Sequence, residues 1–341
     1  MTKTILESLA TTVLLPVYFR ESAGNEIRFL RRALESVQCQ RFPEAFEILI
    51  VDDGSPIPIS SYAGDLGRAA QNVRWVRLEK NQGLTYALNR GLACAKFPFI
   101  ARLDADDLWR DGKIEKQFNL FLEDSDLSIS ATGMSLVSTD GHMLSEHIRP
   151  AGWSDILRFY VEGGCPFPHG SVLARRTIYL ELGGYPHATI YNFCEDYALW
   201  STWLRFFKPK MIEEVLYEYT VSPLNISSTH AEKQRKASET LRRHFERLGI
   251  VTTVPSSIAE LAGILGVSII QAGFLAYRIW RHGLAVSLPI DAVESLRKIL
   301  PDRDVECLVS HDRVWTPARI LADPLAGAGV VGDTILLARP I

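Results

Sequence analysis

Short, mostly apolar segments separated by amphipathic helical patterns constrain the fold of this chain more than any other feature. Phe46–Val51 reads FEILIV, the near-continuous apolar run of a strand covered on both faces in a parallel sheet. Thr12–Val17, Val73–Leu78 and Phe97–Leu103 read as three further strands. Between them Ile27, Leu30, Leu34 and Val37 recur at helical spacing. Leu84, Leu88, Leu92 and Ala95 mark one face of a helix that opens just after Gly83, and Ile114–Phe121 forms another. This alternation predicts a doubly wound, mostly parallel α/β sheet with flanking helices, whose ligands gather at the carboxyl ends of the strands. With 341 residues, 47% of them hydrophobic, the chain can fill a large core and carry a smaller appendage.

Beyond about Asp140 the regularity weakens, and glycine, proline and aromatic residues cluster from Gly163 to Gly170. Asp196–Phe207 reads as an aromatic-rich amphipathic helix and Met211–Tyr219 as a strand. From about His230 the pattern becomes a basic helix with Lys233, Arg235, Lys236, Arg242 and Arg243, followed by a break at Pro255. We therefore expect a domain over residues 1–230 and a mainly helical region over 231–341, with short strands at Val305–Val309 and Ile335–Ala338. Ser257–Leu265 and Ile269–Arg281, joined through Gly266, superficially resemble a helix-turn-helix. The second helix is mostly apolar where a recognition helix is polar, and a net charge of −3 gives no field for nucleic acid. Two packed helices are the expectation, and no nucleic-acid partner.

Leu261–Tyr277 carries no charge, but its three glycines, Ser268 and Gln271 and its short length argue against a membrane span. It is expected to be buried or to lie at a membrane surface. The amino terminus lacks the charged and long apolar regions of a signal peptide. Cys39, Cys94, Cys165, Cys194 and Cys307 show no C-x-x-C spacing, which reads as reduced thiols in the cytoplasm and not as a disulfide framework or a zinc site. The Asn225-Ile226-Ser227 sequon is idle in that compartment.

Two acidic clusters stand where the sheet would expose them. Asp52-Asp53-Gly54-Ser55 follows the strand ending at Val51, and Asp104-Ala105-Asp106-Asp107 follows the strand ending at Leu103. Carboxylates there can hold a divalent cation through oxygen or accept hydrogen bonds from a ribose or a base. Three carboxylates within four residues also repel one another, which favours a bound cation. Solvated acidic turns or helix caps are the plain alternative. An EF-hand fails at Leu108 and Trp109, and neither a G-x-G-x-x-G nor a Walker lysine motif occurs, so a diphosphate would be neutralised by metal.

The ordered set of Pro16-Val17-Tyr18, Asp52-Asp53-Gly54-Ser55, Asn81-Gln82-Gly83 with Asn89 and Gly91, and Ala101-Arg102-Leu103-Asp104-Ala105-Asp106-Asp107 resembles the family 2 inverting glycosyltransferases of the GT-A fold. His169-Gly170-Ser171, Gly183-Gly184-Tyr185 and Glu195-Asp196-Tyr197-Ala198-Leu199-Trp200 resemble the acceptor half of the same family, so that the likeness spans residues 11 to 230. The resemblance implies a nucleotide-sugar site made by Pro16, Val17, Tyr18, Asp52, Asp53, Asn81, Gly83, Arg102, Asp104, Ala105 and Asp106. It implies Mn²⁺ or Mg²⁺ on Asp106 or Asp107, and Asp196 with Glu195 as the catalytic pair, Asp196 being the general base. His169 and Trp200 are candidate acceptor or phosphate contacts, although a structural histidine and core packing are the better readings of them. Thr220 replaces an arginine common in relatives after the last strand's tyrosine, and Phe19 stands where asparagine is frequent.

The expected activity is transfer from a nucleotide-sugar, with UDP the favoured nucleotide, to a glycan or lipid-linked acceptor in cell-surface polysaccharide synthesis. Peripheral contact with the inner membrane face is part of that expectation, and a homo-oligomer stays open. The alternatives are a sugar nucleotidyltransferase, which would want a basic glycine-rich loop after the first strand, and a non-catalytic nucleotide-sugar-binding regulator.

Overall fold

The computed structural model describes residues 8–21, 24–187, 193–222, 229–247, 253–282, 284–285 and 287–300, with short strand pairs beyond. The sequon at Asn225, Cys307 and most of the carboxy-terminal tail lie outside the described residues. The elements that position the site are β1 (Thr11–Val17), α1 (Asn25–Gln38), β2 (Phe46–Asp52), β3 (Val73–Arg77), α2 (Leu84–Cys94), β4 (Phe99–Arg102), β5 (Leu108–Trp109) and α3 (Lys113–Glu123). There follow β6 (Ile129–Ser138), β7 (Met143–His147), α4 (Trp153–Val161), β8 (Leu173–Arg175), α5 (Arg176–Glu181), α6 (Glu195–Phe206) and β9 (Pro209–Val221). The carboxy-terminal helices are α7 (Ala231–Arg247), α8 (Val254–Leu265), α9 (Ile269–His282) and α10 (Ile290–Ile299).

One mixed sheet runs β3-β2-β1-β4-β8-β6-β9-β5, with β7 paired to β6. The first four strands are parallel. Beyond β4 the sheet turns mixed: β8 is antiparallel to both neighbours, whereas β9 lies parallel to β6. Alternate residues feed opposite faces. Leu14, Leu49 and Val51 join the core under α2 and α6, while Val13, Leu15, Ile48 and Ile50 join the core under α1 and α3.

The register sets the functional edge. Val17 lies opposite Asp52, and Asp52 opposite Arg77, so three parallel strands end side by side and the following loops meet above them.

The carboxy-terminal helices share this core. Ile258, Leu261, Ala276 and Leu296 are buried in the same cluster as Trp203, Phe206 and Phe207 of the α6 end. The pair α8 and α9 is bent by 104°, and among the described residues no single helix is long and apolar enough to cross a membrane. The uncharged stretch Leu261–Tyr277 thus contributes to the core, Leu261, Ala262, Leu265, Ala272, Ala276 and Tyr277 being buried. Short strands at Leu308–Val309, Thr334–Ile335 and Leu337–Ala338 match the places expected from sequence.

Candidate active site

At the end of β2 the chain must turn sharply beneath the loop at residues 80–83. Gly54 does so with φ +70, and a Cβ there would stand 2.3 Å from the Lys80 carbonyl carbon, so only glycine fits. Asp52 is buried and engaged: it accepts from the Ser55 N–H at 2.8 Å and the Ile59 N–H at 3.1 Å, and pairs with Arg77 at 2.7 Å. This carboxylate braces the loop. Asp53 accepts from the backbone N–H groups of Gln82 and Gly83, both at 2.8 Å, while its own N–H donates to the Val17 carbonyl. Burial raises its pKa. Each carboxylate oxygen keeps a further lone pair, so Asp53 can brace the 81–83 loop and still accept from a base. Pro16 and Val17 are buried within β1; Tyr18 is exposed beside them, as is Asn81 across the loop.

The second acidic loop divides its work between its members. Arg102, at the end of β4, is fully buried and pairs with Asp104. Burial works against its charge, but Asp104 holds it protonated and raises its pKa. Its Nε has no partner among the described residues. Asp106 lies half-buried next to Ala105, and burial together with Asp104 pushes its carboxyl up to about 6. Asp107, expected as a metal ligand, points the other way. It is fully buried, accepting from the Tyr217 hydroxyl and from the Thr220 N–H at 2.7 Å. Burial and then Asp106 raise its pKa well above the carboxylate range. Thr220, noted in the sequence only as a departure, also donates its hydroxyl to the Asp106 carbonyl at 2.5 Å. Residues of β9 therefore hold the loop from below and leave Asp104 and Asp106 to face the edge.

Helix α6 opens on Glu195 and Asp196 at this same edge. Asp196 accepts from the Tyr197 N–H at 2.7 Å, and no other residue among those described donates to it. Burial pushes the Glu195 carboxyl up to about 7, with Asp196 adding to the rise. Asp196 is raised by burial too, and both carboxylates feel the charges of Arg102 and Asp104. The start of α6 thus lies near enough to the β4 loop to feel its charges, although more than ninety residues separate them in the chain.

His169 is a neutral member of this neighbourhood. Burial and Arg102 lower its pKa well below the usual value, and its Nε2 lies 2.7 Å from the Tyr185 hydroxyl. Tyr185 is positioned by Asn89 of α2, which bonds both its N–H and its carbonyl at 2.8 Å. Gly184 permits that approach, with φ +77 and a would-be Cβ 2.3 Å from the Asn89 Oδ1. Trp200 takes the core-packing reading and not that of an acceptor contact. It is wholly buried, edge-on to Phe167, His169 and Trp203, so it packs behind the site and offers no face to a sugar. Sequence reasoning missed Arg77, Tyr217 and Tyr185 as supports, because the partners of the first two are set by sheet register and those of Tyr185 by the packing of Asn89 and His169, not by local spacing.

Hard divalent cations are often held by only one or two carboxylates, with phosphates and water completing the shell. Asp104 and Asp106 could supply that donor set; burial first, and then the charge of Asp104, raise the Asp106 carboxyl. Among the described residues no group of three or more acidic, histidine or cysteine side chains is arranged to hold a metal ion.

Residues 12–183, half of the chain, match the profile of glycosyl transferase family 2. An uncharacterized glycosyltransferase of Haemophilus influenzae is 29% identical over 55% of this chain and 67% of its own length. The UDP-Gal:alpha-D-GlcNAc-diphosphoundecaprenol beta-1,3-galactosyltransferase of Escherichia coli is 28% identical over 55% and 66%, and the amylovoran biosynthesis glycosyltransferase AmsE of Erwinia amylovora 32% over 55% and 67%. The matched region thus spans about two thirds of these relatives. In fold the chain is similar to S. aureus TarS 1-349 in complex with UDP-GlcNAc, with a TM-score of 0.51 and 15% identity over 86% of this chain and 90% of that one. The profile match, on an α/β sheet whose two acidic loops and Glu195-Asp196 helix start meet at one edge, shows that the chain belongs to glycosyl transferase family 2.

Proposed function

We propose that the protein transfers a sugar from a UDP-sugar, with inversion and with the help of Mn²⁺ or Mg²⁺, to a glycan or lipid-linked acceptor in cell-surface polysaccharide synthesis at the cytoplasmic face of the membrane. The observation that carries this reading is the family 2 profile over residues 12–183 on a sheet whose parallel strands β2 and β4 end, on either side of β1, in the Asp52-Asp53 and Asp104–Asp107 loops. The activity named for the Escherichia coli relative supports UDP and a lipid-linked acceptor, and that of the Erwinia relative supports polysaccharide synthesis.

In this scheme Asp53 and the 81–83 loop receive the base, with Tyr18 beside it, and Asp104 and Asp106 hold the cation. A divalent cation bound there would stabilise the charge of the departing diphosphate. The acceptor hydroxyl attacks the anomeric carbon as the bond to the diphosphate breaks, and Asp196 takes the hydroxyl proton. Burial makes that carboxylate a stronger base than an exposed one. Asp107 keeps the loop in place and is left out of the cation's shell.

Thermal shift and calorimetry with UDP, UDP-galactose and UDP-GlcNAc, each with Mn²⁺, Mg²⁺ or excess EDTA, test the donor and metal together. We expect UDP binding with cation, loss in EDTA, and loss in Asp106→Ala with the fold retained. Undiminished UDP affinity in EDTA would overturn the metal assignment. Failure of every uridine nucleotide to bind, with cation present, would overturn the choice of UDP.

A further inference from the structure

The basic helix α7, which follows β9 and like the catalytic pair lies beyond the matched family region, reaches back to the residues just before that pair. Phe193, two residues ahead of Glu195, has φ +68, a conformation uncommon for any residue with a side chain and an outlier for a bulky one. Something must hold it there, and the partners that do so lie at the start of α7. The imidazole of His230 stacks on the Phe193 ring with centroids 3.9 Å apart and planes 18° from parallel. The Lys233 ammonium lies 5.6 Å from the centroid of the same ring. Gln234 donates its side-chain N–H to the Phe193 carbonyl at 2.8 Å, and its own carbonyl accepts from the Cys194 thiol at 3.3 Å.

We infer that His230 and Gln234 are positioning residues for transfer: they lock Phe193 in its left-handed turn and so aim the Glu195-Asp196 start of α6 at the acceptor. The inference rests on the reading of Asp196 as the base. It gives α7 a part in turnover although the helix lies beyond the matched profile. The opposite side of α6 is already fixed, since Tyr197 stacks on Tyr160 at 4.3 Å and donates its hydroxyl to the Tyr160 carbonyl at 2.9 Å. The α7 clamp acts just ahead of α6, on Phe193 and Cys194 at the entry to the first turn. It touches neither acidic loop, so donor binding should not depend on it.

The test compares His230→Ala, His230→Phe and Gln234→Glu with Asp196→Asn in the full chain. Turnover is read as UDP released from UDP-galactose or UDP-GlcNAc in the presence of bacterial lipid extract, and UDP affinity and urea unfolding are measured beside it. Expected is a fall in kcat of about tenfold for His230→Ala and Gln234→Glu, with KM for the donor, UDP affinity and unfolding midpoint unchanged. His230→Phe keeps a stacking ring and should retain kcat within about threefold of the native protein. If His230→Ala and Gln234→Glu turn over normally while Asp196→Asn does not, the clamp is refuted and the base stands. Normal turnover by Asp196→Asn would remove the base and this inference with it. Equal impairment of His230→Phe and His230→Ala, or a fall in kcat matched by lost UDP affinity or lost stability, would also overturn the positioning role.

Discussion

The acidic residues of this site differ in ways their spelling does not reveal. Asp52 and Asp53 are neighbours after the same strand, yet Asp52 is consumed by Arg77, Ser55 and Ile59, whereas Asp53 keeps capacity for a ligand. Asp106 and Asp107 part in the same way, because Tyr217 and Thr220 of a strand over a hundred residues away claim Asp107. Sequence could nominate the clusters from their place after buried strands, but it could not say which member faces out. Glu195 carries a measurable consequence. Burial holds its carboxyl at about 7, above the ordinary 4.5. A group whose folded pKa is raised contributes stability below the unfolded pKa, and loses it as pH rises through the folded pKa. Between about pH 4.5 and pH 7 the native protein should therefore lose stability that Glu195→Gln does not. Each tenfold difference in proton affinity is worth about 1.4 kcal/mol. The variant should thus be more stable than the native protein by roughly 1–3 kcal/mol at pH 8 and equal to it near pH 4. Urea unfolding at the two pH values, without donor or metal, checks this, and a gain independent of pH would contradict it.

The central strands β1, β2 and β4 were legible because they are covered on both faces and so spell themselves in apolar runs, and the helices because one face alone is buried. β6 was not. Its sequence ISATGMSLVS dilutes the apolar pattern with polar residues that are nonetheless buried. Thr132 and Ser135 have no exposure, and neither does Ser128 just before the strand, whose hydroxyl bonds the Lys208 carbonyl and accepts from the Trp203 indole. Such partners come from other elements and leave no local signal. The carboxy-terminal helices raise the converse point, since a change in composition near His230 suggested a separate region, while the packing joins it to the main core. Gly273 of α9 sits against the end of α6, where a Cβ would stand 2.2 Å from the Phe206 carbonyl oxygen. Gly273→Ala should therefore force the two helices apart and cost about 1–3 kcal/mol, the usual range for overpacking, with UDP affinity at low temperature unchanged. An unfolding free energy equal to the native value would show that α9 does not seat on α6 in this way.

For the molecule as a whole, the parallel half of the sheet presents the edge proposed for the nucleotide and the mixed half carries the supports of the second acidic loop. Between them α6 brings its acidic start to that edge, backed by Trp200 and Trp203 and by the helices behind. The family likeness made the fold class and the kind of enzyme readable in advance. What it could not convey was which carboxylates remain free after folding, and that α7 reaches forward to Phe193. The decisive measurement is turnover of Asp196→Asn beside the native protein, with UDP affinity measured in the presence of Mn²⁺. The variant keeps the shape and an acceptor for the Tyr197 N–H, but loses the basic carboxylate. With Asp196 as the base, kcat should fall by about a hundredfold or more, in line with the usual contribution of a general base, at unchanged UDP affinity. Native-like turnover, or a loss explained by weakened UDP binding, would contradict that role.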